Sequence, residues 1–188
     1  AMNGKDPATL NADGTGAVWI IGGDMFGKPT YAHAQGWWTD TDHALCMAPV
    51  ADKVYQVTFT IGKQLKPGTN VDFKFFGQAG WGTEFKASGD HAISADNPWF
   101  YVNAADGNIH LKDGVVLKSG ETYKFTLDLT KGVANGKLNV EKTDVPTLNF
   151  ENADGKNIFT GTLIQGNIYE FVGDDAVKSA DWFYDPDF

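Results

Sequence analysis

Val71-Asp72-Phe73-Lys74-Phe75-Phe76 is the stretch whose reading decides the fold. Side chains of an extended chain alternate between two faces, so Val71, Phe73 and Phe75 share one side while Asp72 and Lys74 take the other. An apolar row backed by a charged one marks a strand with a buried face and a wet face. The same period recurs upstream in Tyr55-Gln56-Val57-Thr58-Phe59-Thr60-Ile61 and downstream in Tyr123-Lys124-Phe125-Thr126-Leu127-Asp128-Leu129. In both, the odd-numbered positions are apolar and the even-numbered ones polar.

Further strands are expected over 17–22, 83–87, 99–102, 109–112 and 137–141, where β-branched and aromatic residues gather. The turn dipeptides Asp13-Gly14, Asp106-Gly107, Asn135-Gly136 and Asp154-Gly155, with Lys66-Pro67-Gly68, punctuate the series. No sustained helical period is present, and residues 174–180 have room for one helical turn at most. Many short strands at this spacing imply an all-β sandwich or barrel. Residues 10–143 form one continuous strand series and are expected to be the β-sandwich domain. Thr143-Asp144-Val145-Pro146 reads as a linker, because proline cannot donate to a strand ladder. Residues 144–188 are expected to hold that linker and the start of a second β module, too short for a core of its own. An echo supports this: Val18-Trp19-Ile20-Ile21-Gly22-Gly23-Asp24, with Trp37 later, parallels Ile168-Tyr169-Glu170-Phe171-Val172-Gly173-Asp174, with Trp182 later.

Composition narrows the class of partner. The chain has 188 residues, 42% hydrophobic and 21% charged, which is a globular composition. No run approaches the length of apolar chain needed to cross a bilayer as a helix. The net charge is −9, and all 15 basic residues are lysines. Without a guanidinium fork, and with an acidic balance, nucleic acid is excluded as an expected partner and a neutral ligand favoured. Cys46 stands alone, so the chain carries no internal disulfide framework. No signal peptide is legible at Ala1-Met2-Asn3-Gly4, and a leader or lipidation signal is expected to precede this segment in the full-length protein.

The aromatic residues carry the functional signal. Of the 6 tryptophans, Trp19 lies in an apolar strand and is expected in the core. Trp37-Trp38 follows a glycine and precedes Thr39-Asp40-Thr41-Asp42, where no strand pattern offers burial. Trp81 sits between Gly80 and Gly82 at an expected hairpin tip, and Trp99 follows Asn97-Pro98 at a strand start. Aromatic rings on loops commonly mark binding, although such rings also plug the ends of sandwiches. A pyranose presents an apolar C–H face rimmed by hydroxyls. Flat indoles with a few placed polar groups suit it.

The runs Val18–Asp24, Gly36-Trp37-Trp38, 54–61 and 71–76, together with Trp81, Gly107-Asn108-Ile109 and 120–129, resemble the repeated modules of SusE/SusF-type outer-membrane lipoproteins of gut Bacteroidetes. The resemblance covers residues 15–142. It implies an Ig-like, carbohydrate-binding-module-like antiparallel β-sandwich, non-catalytic, lipid-anchored at the extracellular face of the outer membrane. It also implies starch or other glycan binding, polysaccharide utilisation, and other components of a glycan-uptake complex as partners. Family sites pair stacking aromatics with lysine, which on this sequence gives Trp37 or Trp38, Trp81, and Lys86 or Lys74, with Trp99 as a further candidate. The loop bearing Pro29, Tyr31 and His33 is longer than the family pattern and bears on site shape.

Competing chemistries have less support. The pairs Asp40 with Asp42, Asp174 with Asp175 and Glu84 with Asp90 could in principle serve a glycoside hydrolase. That chemistry needs two carboxyls flanking a scissile bond, one of them held protonated. No nucleophile elbow, zinc helix or phosphate loop occurs. His33 and His43 on one loop, or calcium at Asp40, Asp42 and the Asp-Gly turns, are the metal alternatives, without the spacing of an EF-hand. The expectation is no cofactor and no catalysis. The alternative to glycan binding is a structural spacer or adhesion module in a tandem surface protein.

Overall fold

The computed structural model describes residues 9–26, 36–37, 44–77, 82–144, 147–165, 168–173 and 181–184. Trp38, Trp81, His33, His43, Asp40, Asp42 and the expected turn at 174–180 lie outside them.

The chain folds as an all-β sandwich. The strands run β1 (Trp19–Gly22), β2 (Leu45–Cys46), β3 (Ala48–Ala51), β4 (Val54–Thr60), β5 (Phe73–Phe76), β6 (Ile93–Ala95), β7 (Phe100–Val102), β8 (Ile109–Leu111), β9 (Thr122–Asp128) and β10 (Gly136–Thr143). One sheet has the order β2-β1-β5-β8-β7 and the other β3-β4-β9-β10-β6. Pairing is antiparallel except where β6 runs parallel to β10, so the expected antiparallel sandwich is mixed at one edge. Beyond the linker, β11 (Thr147–Glu151), β12 (Asn157–Gln165), β13 (Ile168–Gly173) and β14 (Asp181–Tyr184) pair in sequence as an antiparallel meander.

The period-two reading places the apolar rows of β4 and β9 inward, but the expected wet face fails where Thr58, Thr60 and Thr122 are buried and in β5, where Lys74 and Phe76 are buried as well. Tyr55, Val57 and Phe59 of β4 and Tyr123, Phe125 and Leu127 of β9 are buried in the main core. Phe73 and Phe75 face them from β5. Phe125 is at the centre, with its ring edge-to-face with Phe59 at 5.4 Å, Phe73 at 5.7 Å and Phe100 at 4.8 Å. Such packing adds about 0.5–1.5 kcal/mol per pair beyond the area it buries.

Three further expectations are corrected. Trp19 is half-buried in a second cluster with Ile21, Ala44 and Phe76, separate from the main core. Its neighbour Ile20 takes the inward position, so alternation sends the indole to the outer face. Residues 83–87 form no strand; Glu84 and Lys86 make isolated bridges, to Phe76 and Ala92. Trp99 is half-buried at the edge of the main core, packed edge-on to Tyr123 at 5.4 Å. Asn97 aims it there: its buried Oδ1 accepts from the Trp99 and Phe100 amides at 2.9 and 2.7 Å.

Candidate binding face

The outer face of the first sheet is unusually apolar for a surface layer. In register, Trp19 of β1 stands beside Cys46 of β2 and Phe76 of β5, and Ile21 stands beside Lys74. Glu84 bridges to Phe76 and so continues the row. Ile21 and Phe76 are as buried as core residues, although they point away from the core. The return of the chain at Gly36-Trp37 accounts for part of that cover. Both amides donate to the Gly22 carbonyl, at 2.9 and 3.3 Å, which brings the Trp37 indole onto the cluster beside Trp19. The indole passes close to the Gly23 backbone, where a Cβ would meet Trp37 Nε1 at 3.8 Å, an ordinary contact.

Trp37 is held with φ at 63°, a left-handed conformation that a bulky residue rarely adopts. Trp19 and Trp37 each pack, half-buried, against the same Ile21–Ala44–Phe76 cluster. The structure therefore brings Trp37 onto the same face as Lys74 and, through the bridged segment, Lys86. Lys74 is nearly sealed, at 7% exposure, and its ammonium donates to the Asp106 carbonyl. A buried charge is tolerated only when so partnered. Lys74 thus ties the face to the 103–108 loop. Lys86 is exposed and stands 3.7 Å from Glu84 Oε1. Glu84 loses some hydration by burial, which raises its pKa. The Gly82 amide, donating at 2.7 Å, and the nearby lysines outweigh this and hold the carboxyl below its ordinary value.

Trp99 belongs to the other side of the sheet and is not gathered to this face. Sequence reasoning missed Trp19 as a surface residue, and it missed the pair Tyr101 and His110 altogether. Tyr101 of β7 and His110 of β8 are register partners on the outward side, with Phe100 and Ile109 directed inward. The Asp106-Gly107 turn between two short strands was the available signal. Among the described residues no group of three or more His, Cys, Asp or Glu could hold a metal ion. The Asp-Gly turns use their carboxylates internally: Asp13 accepts from Thr15, and Asp106 from the Asn108 amide at 2.8 Å. Burial pushes the Cys46 thiol up to about 11, so at neutral pH it is protonated and a poor nucleophile.

No curated protein and no solved structure matches the chain. Residues 13–130, which span the outer face and every sandwich strand but β10, match a family model. On that match, the chain belongs to the family described as a domain of unknown function, DUF5121.

Proposed function

We propose that this protein is a non-catalytic carbohydrate-binding module that captures a neutral polysaccharide or oligosaccharide by aromatic stacking. The observation that carries the reading is that Trp19 and Trp37 both pack against one outward apolar cluster. Two half-open indoles lie on the outer face of a sheet, one of them in a strained backbone conformation. Strain persists where the surroundings over-determine it, and such sites cluster where ligands are held. Flat, stiff rings lose little side-chain entropy on binding. Trp38 and Trp81, beside these elements in the chain, and the exposed Lys86 extend the proposed site.

The resemblance to SusE/SusF-type modules supports placing the full-length protein as a lipid-anchored component of an outer-membrane glycan-uptake system. Tandem modules would raise avidity above the weak affinity of one. The second reading, a structural spacer, is favoured by one observation. Thr58, Thr60 and Thr122 are buried on the outer face of the second sheet, and β12 lies against β4 there. Packing of that kind suits a rod of modules.

Affinity electrophoresis and calorimetry against a glycan panel test the proposal. The parent protein is expected to bind at least one neutral glycan, with little change between low and high salt because the ligand is uncharged. Trp37→Ala is expected to weaken binding by about tenfold, roughly 1.4 kcal/mol. Absence of binding by the parent would favour the spacer. Equal binding by the Trp37, Trp38 and Trp81 alanine variants would remove the proposed platform. Reducing sugar released by the parent protein would place it among the enzymes.

A further inference from the structure

The β7–β8 end of the same sheet face carries a second arrangement of aromatic and polar groups. Tyr101 is one of the exposed large hydrophobic side chains among the described residues, and its ring lies 5.9 Å from that of His110, tilted by 37°. His110 Nδ1 is 2.9 Å from the Val71 carbonyl. A carbonyl can only accept, so Nδ1 carries the proton. In the neutral ring Nε2 is then an acceptor, and it faces Asp72 Oδ1 at 3.6 Å, beyond hydrogen-bonding distance. Asp72 is fixed in turn by Asn108, whose Nδ2 donates to the same Oδ1 at 2.8 Å. Asn108 leaves its own carbonyl oxygen buried without a partner. Leaving such a group unpaired is costly, and Asn108 bears that cost while orienting a half-exposed carboxylate.

With the ring neutral, two half-exposed acceptors converge beside an exposed aromatic ring, and one of them, Asp72 Oδ1, is held in place by the Asn108 amide. We infer that Tyr101, His110 and Asp72, with Asn108 as the positioning residue, form a second sugar subsite. It takes one ring of a neutral oligosaccharide: neighbouring hydroxyls donate to Asp72 and to His110 Nε2, and the C–H face rests on Tyr101. The inference rests on the carbohydrate-binding reading and deepens it. In the sheet order, β7 is three strands from β1. At the usual strand spacing, this puts the subsite about 14 Å from Trp19. The ligand is thus an extended oligosaccharide lying across the strands, and a monosaccharide fills only one end.

Site-resolved nuclear magnetic resonance tests this, following the His110 ring and Trp37 indole signals while malto-, cello-, xylo-, manno- and fructo-oligosaccharides are added to the whole chain. Calorimetry on Tyr101→Ala and Asp72→Asn accompanies it, with circular dichroism to check folding. The expected result is that one oligosaccharide moves both signals and that Tyr101→Ala weakens its binding about tenfold. If Trp37 responds while His110 stays still and both variants bind like the parent, the subsite is overturned and the carbohydrate-binding reading stands. If His110 responds and Trp37 does not, the subsite is supported and the Trp37 platform falls. If neither signal moves with any oligosaccharide, both readings fail.

Discussion

Phe73 is fully buried and touches Phe59, Phe75 and Phe125 edge-to-face. Truncation to alanine removes three ring contacts at once and leaves a cavity that surrounding strands can collapse into only partly. Phe73→Ala is therefore expected to cost about 3–5 kcal/mol in urea unfolding. A loss below about 1 kcal/mol would mean that β5 turns its other face to the core. Glu121 is the residue through which acid should act. Its carboxylate pairs with the Lys142 ammonium, accepts from the Tyr123 hydroxyl at 2.9 Å and takes the Lys118 amide at 2.7 Å. The Lys142 interaction is the largest effect and holds its pKa below the ordinary 4.5; burial opposes it, and the Tyr123 hydroxyl and Lys118 amide reinforce it. A carboxyl depressed in the folded state contributes stability above its unfolded pKa and loses it as pH falls through the folded one. Glu121→Gln should thus be less stable than the parent at neutral pH, and the gap should close as pH falls below the ordinary carboxylate range. A gap that stays constant with pH would show that the lost contribution is not ionic.

At the scale of elements, the 103–108 loop joins β7 to β8 and holds the candidate face together. Gly107 has φ of 79°, and a Cβ there would come within 2.6 Å of the Phe85 carbonyl oxygen. Backbone cannot yield to it as a flexible side chain would. Gly107→Ala is expected to destabilise the protein by about 1–3 kcal/mol and to loosen Lys74, whose ammonium rests on the neighbouring Asp106 carbonyl. Thermal unfolding beside the parent measures it; an unchanged melting temperature would show that the loop shifts freely. Elements with clean alternation were legible in the sequence. β4, β5 and β9 fell where the period of two put them, and β10 extends slightly beyond its expected ends. What failed has physical causes. β1 is apolar on both faces, so periodicity could not tell that Ile20 and not Trp19 enters the core. β6 is short and owes its existence to a parallel partner more than forty residues away, which no local pattern reveals. β2 and β3 surround Met47 and Pro49 without alternation. The candidate face was half legible: Trp37 and Lys74 were nameable from type and place, whereas Tyr101 and His110 become neighbours only through hairpin register.

At the scale of the whole molecule, the sandwich surface is acidic, and lysine is its sole basic residue type. Exposed cross-strand pairs such as Lys124 with Glu141, 2.9 Å apart, add little stability. The sheet with apolar side chains on both faces has a cost that appears before folding is complete. In the nascent or denatured chain, Val18-Trp19-Ile20-Ile21 is an uncharged run of high β-propensity, the composition from which intermolecular cross-β stacking begins. The Phe73–Phe76 run has comparable apolar content, but Lys74 interrupts it with a charge of the kind that blocks such stacking. A synthetic peptide of residues 17–22 should therefore form dye-binding fibres, and one of residues 71–76 should stay soluble until Lys74 is replaced by threonine. Equal behaviour of the first two peptides would refute the distinction. The same lysine that braces the folded face thus protects the chain before folding, while β1 reaches the native state safely only if it pairs faster than it meets another copy of itself.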